Sequence, residues 1–297
     1  MSIPEAQLDT WANIGAVATS RDTYATIKNA LEASDVAYAG RNYSVFLQGS
    51  YGNDTNVWSE SDVDIVIVLN DVYFHDIDSL PDAEKASFNQ AWVAATYTYP
   101  EFKRDVLAQL KKHFGRDADP GDKAIAVAAN GNRRKADVIV AAQYRRYHRF
   151  QSLSNEDYAT GICFWDGSGV QIANYPKQHS ENLTRKHQAT AGWLKPTVRI
   201  FKNMRNRMVA DRKIVAGLAP SYYLEGLLYN VPADRYAQNC QDTFVNCFDY
   251  LHSADRTDFV CANEQYYLLR EDSPVTWRAA KCSAFLDAVA DYWNNWR

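Results

Sequence analysis

Two aspartates two positions apart, Asp62 and Asp64, stand at the head of an apolar run, Ile65 to Leu69. Side chains alternate faces along a strand, so the two carboxylates project on one side, about 7 Å apart along the chain. Paired carboxylates repel and lose hydration unless a cation lies between them. A hard, oxygen-seeking Mg²⁺ meets that need, because it binds through one or two carboxylates plus substrate phosphates. A third acid, Asp137, opens another apolar stretch, Val138 to Ala142, directly after Arg133-Arg134-Lys135. If the two strands are neighbours, three carboxylates converge. Two divalent ions about 4 Å apart would then clamp the attacking and leaving oxygens of an in-line phosphoryl or nucleotidyl displacement. The turn Gly49-Ser50-Tyr51-Gly52 offers a phosphate cradle: glycine permits close backbone approach, and free N–H groups and a hydroxyl bond phosphate oxygens. An isolated Asp-x-Asp is usually polar strand-end chemistry. The ordered set of Gly-Ser, Asp-x-Asp, apolar strand and later Asp is far more specific.

Those residues need strands to hold them. Ser44 to Gln48 is short and β-prone, and the turn residues Gly49 to Asn56 break it. Asp62 to Leu69 reads as a strand. Ala124–Ala129, the turn Asn130-Gly131-Asn132 and Ala136–Ala141 read as a hairpin. Gln7 to about Tyr38 is helical in pattern, with Ser20 a candidate cap for Arg21 onward. Asn89 to Phe114 reads as a helix pair broken near Pro100, and helical signals dominate from Leu194 to Arg297. Mixed elements followed by helices predict an α+β unit, residues 1–170, and a helical unit, residues 171–297.

The helical half carries its own candidates. Lys195, Arg199, Lys202 and Asn206 fall within roughly 60° of one another on a helix, with Val198, Phe201, Met204 and Met208 flanking. The cationic stripe is either a solvated face or a clamp for a triphosphate. Ser221 reads as a helix cap or a phosphate contact at a helix N-terminus. Tyr222 reads as core or as a platform on which a base stacks, worth ~1–3 kcal/mol. The six histidines lack metal-ligand spacing, and no phosphate-binding Gly-x-x-x-x-Gly-Lys-Ser/Thr loop exists. Trp277, Trp293 and Trp296 read as helix packing.

Composition limits the classes. The 297 residues carry net charge −4, against a general nucleic-acid coat. Yet residues 185–213 hold nine bases against Asp211, a local +8, leaving −12 elsewhere; such a stripe suits a polyanion. The longest apolar run, Ala124–Ala129, is far short of the ~18 residues a membrane span needs. The N-terminus has no signal-like pattern, and five cysteines without C-x-x-C read as reduced thiols. A cytoplasmic location is expected.

Gly49-Ser50, Asp62-x-Asp64 and Asp137 resemble the signature of polymerase-β-type nucleotidyltransferases. The stretches Phe46 to Asn56 and Ser61 to Ile67 resemble the bacterial cGAS/DncV-like nucleotidyltransferases. The opening Ser2 to Trp11, and Asn182 within His179 to His187, look most like the CdnE group. The resemblance implies a bilobal, oligoadenylate-synthetase-like architecture and synthesis of a cyclic dinucleotide signal in anti-phage (CBASS) defence. It implies two Mg²⁺ ions, or Mn²⁺, held by Asp62, Asp64 and Asp137. Asp137 would also help activate the acceptor 3′-hydroxyl. It marks Lys202, with Arg199 as a less certain neighbour, and the pair Ser221 and Tyr222, as nucleotide contacts beside Gly49 and Ser50. An amide at position 182 pairs with uracil or, rotated, with adenine. The resemblance associates Asn182 with a pyrimidine, chiefly uridine; otherwise it sits at a turn or caps a helix. The expected product is cyclic UMP-AMP from UTP and ATP, next a cyclic dipyrimidine or else a purine cyclic dinucleotide, with a cyclic-nucleotide-activated effector downstream. Long nucleic acid and membrane are not expected partners. Rivals are another nucleotidyltransferase, such as an RNA-tailing, antibiotic-modifying or protein-nucleotidylating one, and a non-catalytic nucleotide-binding or antitoxin-like module. The intact carboxylates speak against the latter.

Overall fold

The structure, a computed structural model, describes residues 2–15, 18–58, 62–271, 273 and 275–296. Ser61, which precedes the Asp-x-Asp pair, lies outside them. In chain order the elements are α1 (Glu5–Ala12), α2 (Ala18–Leu31), β1 (Tyr43–Leu47), α3 (Gly49–Gly52), β2 (Val63–Asp76), α4 (Asp82–Ala91) and α5 (Tyr99–Phe114). Then come β3 (Ala118–Pro120), β4 (Ile125–Val127), β5 (Ala136–Ser152), β6 (Asn155–Trp165) and β7 (Gln171–Asn174). Five helices follow: α6 (Pro176–Ala189), α7 (Leu194–Ala210), α8 (Ser221–Tyr229), α9 (Cys240–Ser253) and α10 (Ala279–Asn294).

The chain forms two compact units in an α+β bilobal fold. The sheet unit takes Ala18–Gln48 and Ser61–Pro176; the helical unit takes Met1–Val17, Gly49–Glu60 and Lys177–Arg297. The chain passes from one unit to the other after Val17, Gln48, Glu60 and Pro176. Two earlier segments join the helical unit because α7 side chains capture their backbones: Arg199 donates to the Ala12 and Asp54 carbonyls, and Asn203 to the Trp11 carbonyl.

In the sheet unit, β2 pairs with β1 antiparallel and with β5 parallel. The first part of β5 pairs with β4, and β4 with β3; its outer part pairs with β6, and β6 with β7. Ile65 to Leu69 are buried on both faces of the strand, which is why they read as a continuous apolar run rather than an alternating one. Helix α5 starts at a capping box: Thr98 accepts from the Glu101 N–H, and Glu101 accepts from the Thr98 N–H. Pro100 sits in its first turn, where no N–H is missed. Its Tyr99 hydroxyl donates to the Val140 carbonyl of β5 at 3.0 Å.

Three local expectations are corrected. The predicted helical stretch holds two helices, α1 and α2, and ends at Leu31 rather than near Tyr38; Ser20 lies inside α2, where its hydroxyl accepts from Arg134 at 3.2 Å. The helices around Pro100 are separated by the non-helical residues 92–98, and the first starts earlier, at Asp82. Strand structure persists through β6 and β7 to Asn174. The hairpin is present: β4 pairs with β5, and Asn130 bridges Arg133 around Gly131 at φ 58°.

The helical unit packs α1, α7, α8, α9 and α10 around one core that includes Leu8, Phe201, Leu224, Phe244 and Phe285. Trp277 is buried, Trp293 stacks on Phe244 at 4.6 Å, and Trp296 meets Trp11 edge-on, so the tryptophans pack helices. All five cysteines are free and buried. No helix among the described residues is long and apolar enough to cross a membrane.

Candidate functional site

The sheet brings the three aspartates onto adjacent strands. Asp64 of β2 lies directly opposite Asp137 of β5 in the parallel register, and Asp62 immediately precedes β2. Between them stands a cation from the chain. Lys135 places its Nζ 2.7 Å from Asp62 Oδ2 and 3.7 Å from Asp137 Oδ2. Its hydrogen bond to Asp62, together with the nearby Asp137 charge, raises the lysine pKa despite some desolvation. The Asp62 and Asp137 side chains are 40% and 32% exposed, so both carboxylates are open to solvent. Hard oxygen donors already arranged around a positive charge fit a divalent cation. Among the described residues they do not close to within 4.8 Å of one another as a trio; the group that does is Glu5, Asp9 and Cys240. There Glu5 accepts the N–H groups of Cys240 and Gln241, capping α9, which accounts for the carboxylate without a metal.

The chain enters the Gly-Ser turn from β1. The Gln48 N–H donates to the Asp64 carbonyl at 2.9 Å, so the last residue before Gly49 is tied to the carboxylate strand. Gly49 has φ 67°, a conformation that favours glycine. The turn then closes on itself: the Asn53 N–H reaches the Gly49 carbonyl at 3.1 Å and the Thr55 N–H the Ser50 carbonyl at 2.9 Å.

The cationic stripe of α7 is not a solvated face. Lys195, Arg199 and Lys202 are 7%, 6% and 0% exposed. They hold the segment after the turn: Lys195 meets the Asp54 carboxylate at 3.1 Å, Arg199 the Asp54 carbonyl at 2.6 Å and Lys202 the Thr55 carbonyl at 3.0 Å. Burial brings Arg199 down to about 10, with Asp54 opposing, so it stays charged at neutral pH.

Ser221 is the first residue of α8 rather than its cap, which is Pro220; its hydroxyl accepts from Arg205 at 3.1 Å. The Tyr222 ring stacks on His179 with centroids 4.9 Å apart, and its hydroxyl accepts from Asn263 at 3.0 Å. Burial pushes the Tyr222 hydroxyl pKa well up. Asn182 lies inside α6, buried, and donates to the Ala262 carbonyl at 2.8 Å; it is neither a turn residue nor a cap.

One functional candidate was missed. Glu225 of α8 is buried and faces four donors. Oε2 accepts from Asn53 at 3.1 Å and His179 at 2.7 Å; Oε1 accepts the Thr55 hydroxyl and lies 3.8 Å from Lys202 Nζ. Burial alone would raise its pKa. The His179 hydrogen bond, the Lys202 and His179 charges and the Thr55 hydroxyl outweigh it and hold the carboxyl at about 2. An acid inside the apolar run Tyr222 to Leu228 was the available signal.

Residues 181–294 match the cGAS/DncV-like nucleotidyltransferase C-terminal helical domain. The chain is 37% identical over 298 residues to the cyclic UMP-AMP synthase of Rhodothermus marinus, covering 100% of this chain and 99% of that protein. It is 35% identical to a cyclic dipyrimidine nucleotide synthase of Legionella pneumophila, covering 90% and 88%. Among solved structures, the Rhodothermus marinus CdnE c-UMP-AMP synthase with Apcpp and Upnpp superposes with TM-score 0.89 at 36% identity, covering 99% and 97% of the two chains.

Proposed function

This chain belongs to the cGAS/DncV-like nucleotidyltransferases, as a cyclic dinucleotide synthase of the CdnE type, and from that premise we propose that it makes cyclic UMP-AMP from UTP and ATP. A ribose hydroxyl of one nucleotide attacks the α-phosphorus of the other and pyrophosphate leaves; a second such displacement closes the ring and releases a second pyrophosphate. The observation that carries nucleotidyl transfer is the cross-strand pair Asp64 and Asp137 with Asp62 beside it. These three carboxylates would hold the metal. Two divalent ions, Mg²⁺ or Mn²⁺, supply charge neutralisation on the triphosphate and a more acidic attacking hydroxyl when bound. Asp137 takes part in making that hydroxyl nucleophilic.

Gly49 and Ser50 contact donor phosphates, Tyr222 stacks on a base, and Lys202 and Ser221 complete the nucleotide contacts. Asn182 selects uracil. The 37% identity, spread over the full length of this chain, to a cyclic UMP-AMP synthase supports that choice of bases. A cyclic dipyrimidine is the second reading, favoured by the Legionella pneumophila relative. The setting is the bacterial cytoplasm, in CBASS defence, with an effector that the product activates.

The test is to incubate the purified protein with Mg²⁺ or Mn²⁺ and all four NTPs and to identify phosphatase-resistant products. One product labelled by both UTP and ATP, with two pyrophosphates released per ring, is expected. Full activity with ATP and GTP alone, UTP being ignored, overturns the base assignment.

A further inference from the structure

Glu225 gathers donors from three separate stretches of the chain onto one buried carboxylate. Asn53 and Thr55 come from the segment after the Gly-Ser turn, His179 from α6 and Lys202 from α7. Each link continues to a residue assigned to the nucleotide. Asn53 and Thr55 are tied back to the Gly49 and Ser50 carbonyls through their own N–H groups. His179 carries the ring on which Tyr222 stacks. Lys202 holds the Thr55 carbonyl as well as facing the carboxylate.

Burying a carboxylate is costly, and a packed apolar side chain would stabilise this site at least as well. What an apolar side chain lacks is direction. Two carboxylate oxygens fix Asn53, Thr55 and His179 at set angles.

We propose that Glu225 is a positioning residue for the reaction: its carboxylate sets the Gly49-Ser50 turn and the Tyr222 ring in the arrangement that receives a nucleoside triphosphate. The inference rests on the assignment of Gly49, Ser50 and Tyr222 as nucleotide contacts. Asn182 is anchored independently, by the Ala262 carbonyl. Glu225 therefore governs how well any triphosphate is held and leaves base choice alone.

The experiment measures KM, kcat and base preference for Glu225→Gln and Thr55→Val, with amide hydrogen exchange of residues 49–57. Gln keeps the shape but cannot accept from all four donors; Val keeps the Thr55 shape without its hydroxyl. Both variants should raise KM for UTP and ATP together, tenfold or more, with kcat falling less than threefold and the uridine-to-purine ratio within twofold. Thr55→Ser, which restores the hydroxyl, should bring KM back. Amides of 49–57 should exchange at least tenfold faster while α7 keeps its protection. A merely structural Glu225 would lower the active fraction, hence apparent kcat, and leave KM alone; that result overturns the proposal. So does a base ratio that moves with unchanged KM. If Glu225→Gln does not fold, Thr55→Val decides by the same criteria. If the wild type releases no pyrophosphate from any NTP mixture, the proposed function fails instead. Positioning is then read from hydrogen exchange, where unchanged protection of 49–57 in Thr55→Val overturns it.

Discussion

Lys135 places its ammonium against the Asp62 carboxylate at 2.7 Å, in the position a divalent ion would contest. The lysine is thus a counter-ion of Asp62 and lies near Asp137 as well. Both side chains are well exposed, so the pair is a weak one. Lys135→Met should tighten Mg²⁺ or Mn²⁺ binding about fivefold, the factor that ~1 kcal/mol of exposed ion pair represents. Calorimetric titration with the metal alone reads it. Unchanged or weaker binding would mean that the ion does not compete with the lysine.

Asp62→Asn combined with Asp64→Asn should leave the fold intact and abolish pyrophosphate release. Circular dichroism checks the first and a phosphate-coupled assay the second. Removing two adjacent negative charges relieves repulsion in the metal-free protein, while Lys135 loses its closest partner. The net change in melting temperature should therefore be small. Wild-type turnover in the double variant would remove these aspartates from the site.

Glu225 makes stability depend on acid. Its carboxyl is held at about 2 in the folded protein against an ordinary 4.5. The folded form favours the ionised group, so its contribution is complete above the ordinary value and disappears as pH falls from there toward 2. Linkage puts the contribution near neutrality at about 3 kcal/mol. Glu225→Gln should be less stable at pH 7 and lose less stability between pH 4.5 and 2 than the wild type. Denaturant titrations across that window measure the difference; parallel profiles would show that Glu225 does not gain from being ionised.

Asn182→Ser should lose most of the preference for uridine and shift toward purine products. A bidentate base contact carries ~1–3 kcal/mol of discrimination. Competition between UTP, ATP and GTP for product, resolved by mass, gives the ratio. A variant that keeps the wild-type ratio removes base selection from Asn182. Its side chain already donates to the Ala262 carbonyl, so some loss of stability accompanies the change.

What the sequence made legible follows from distance along the chain. Asp62 and Asp64 are two positions apart at the head of one strand, and the apolar runs after Asp64 and Asp137 marked two buried strands. Their adjacency, Asp64 opposite Asp137, was the natural way to place three acids together. The α7 stripe was found by periodicity, but periodicity does not say what a polar stripe touches. Lys195, Arg199 and Lys202 turn out to face backbone carbonyls and Asp54, about 140 or more positions away. The contacts of Glu225 were hidden for the same reason: its partners Asn53 and Thr55 lie 172 and 170 positions upstream. A lone acid in a helix is ordinarily solvated, so only the structure reveals it as a hub.

The same long separations set an order of events during synthesis. Glu5 caps α9 across 235 positions, and the segment around Asn53 waits for Glu225. The residues of the sheet unit end at Pro176. That unit can therefore assemble on the ribosome while α1 and the Gly-Ser segment are still without their helical partners. The helical unit closes only after residue 240 has emerged, and contacts of such high sequence separation form slowly. A chain cut short between these two points would carry the paired strands of Asp64 and Asp137 but not Glu225, and so none of the side-chain bonds that hold Asn53 and Thr55 to it.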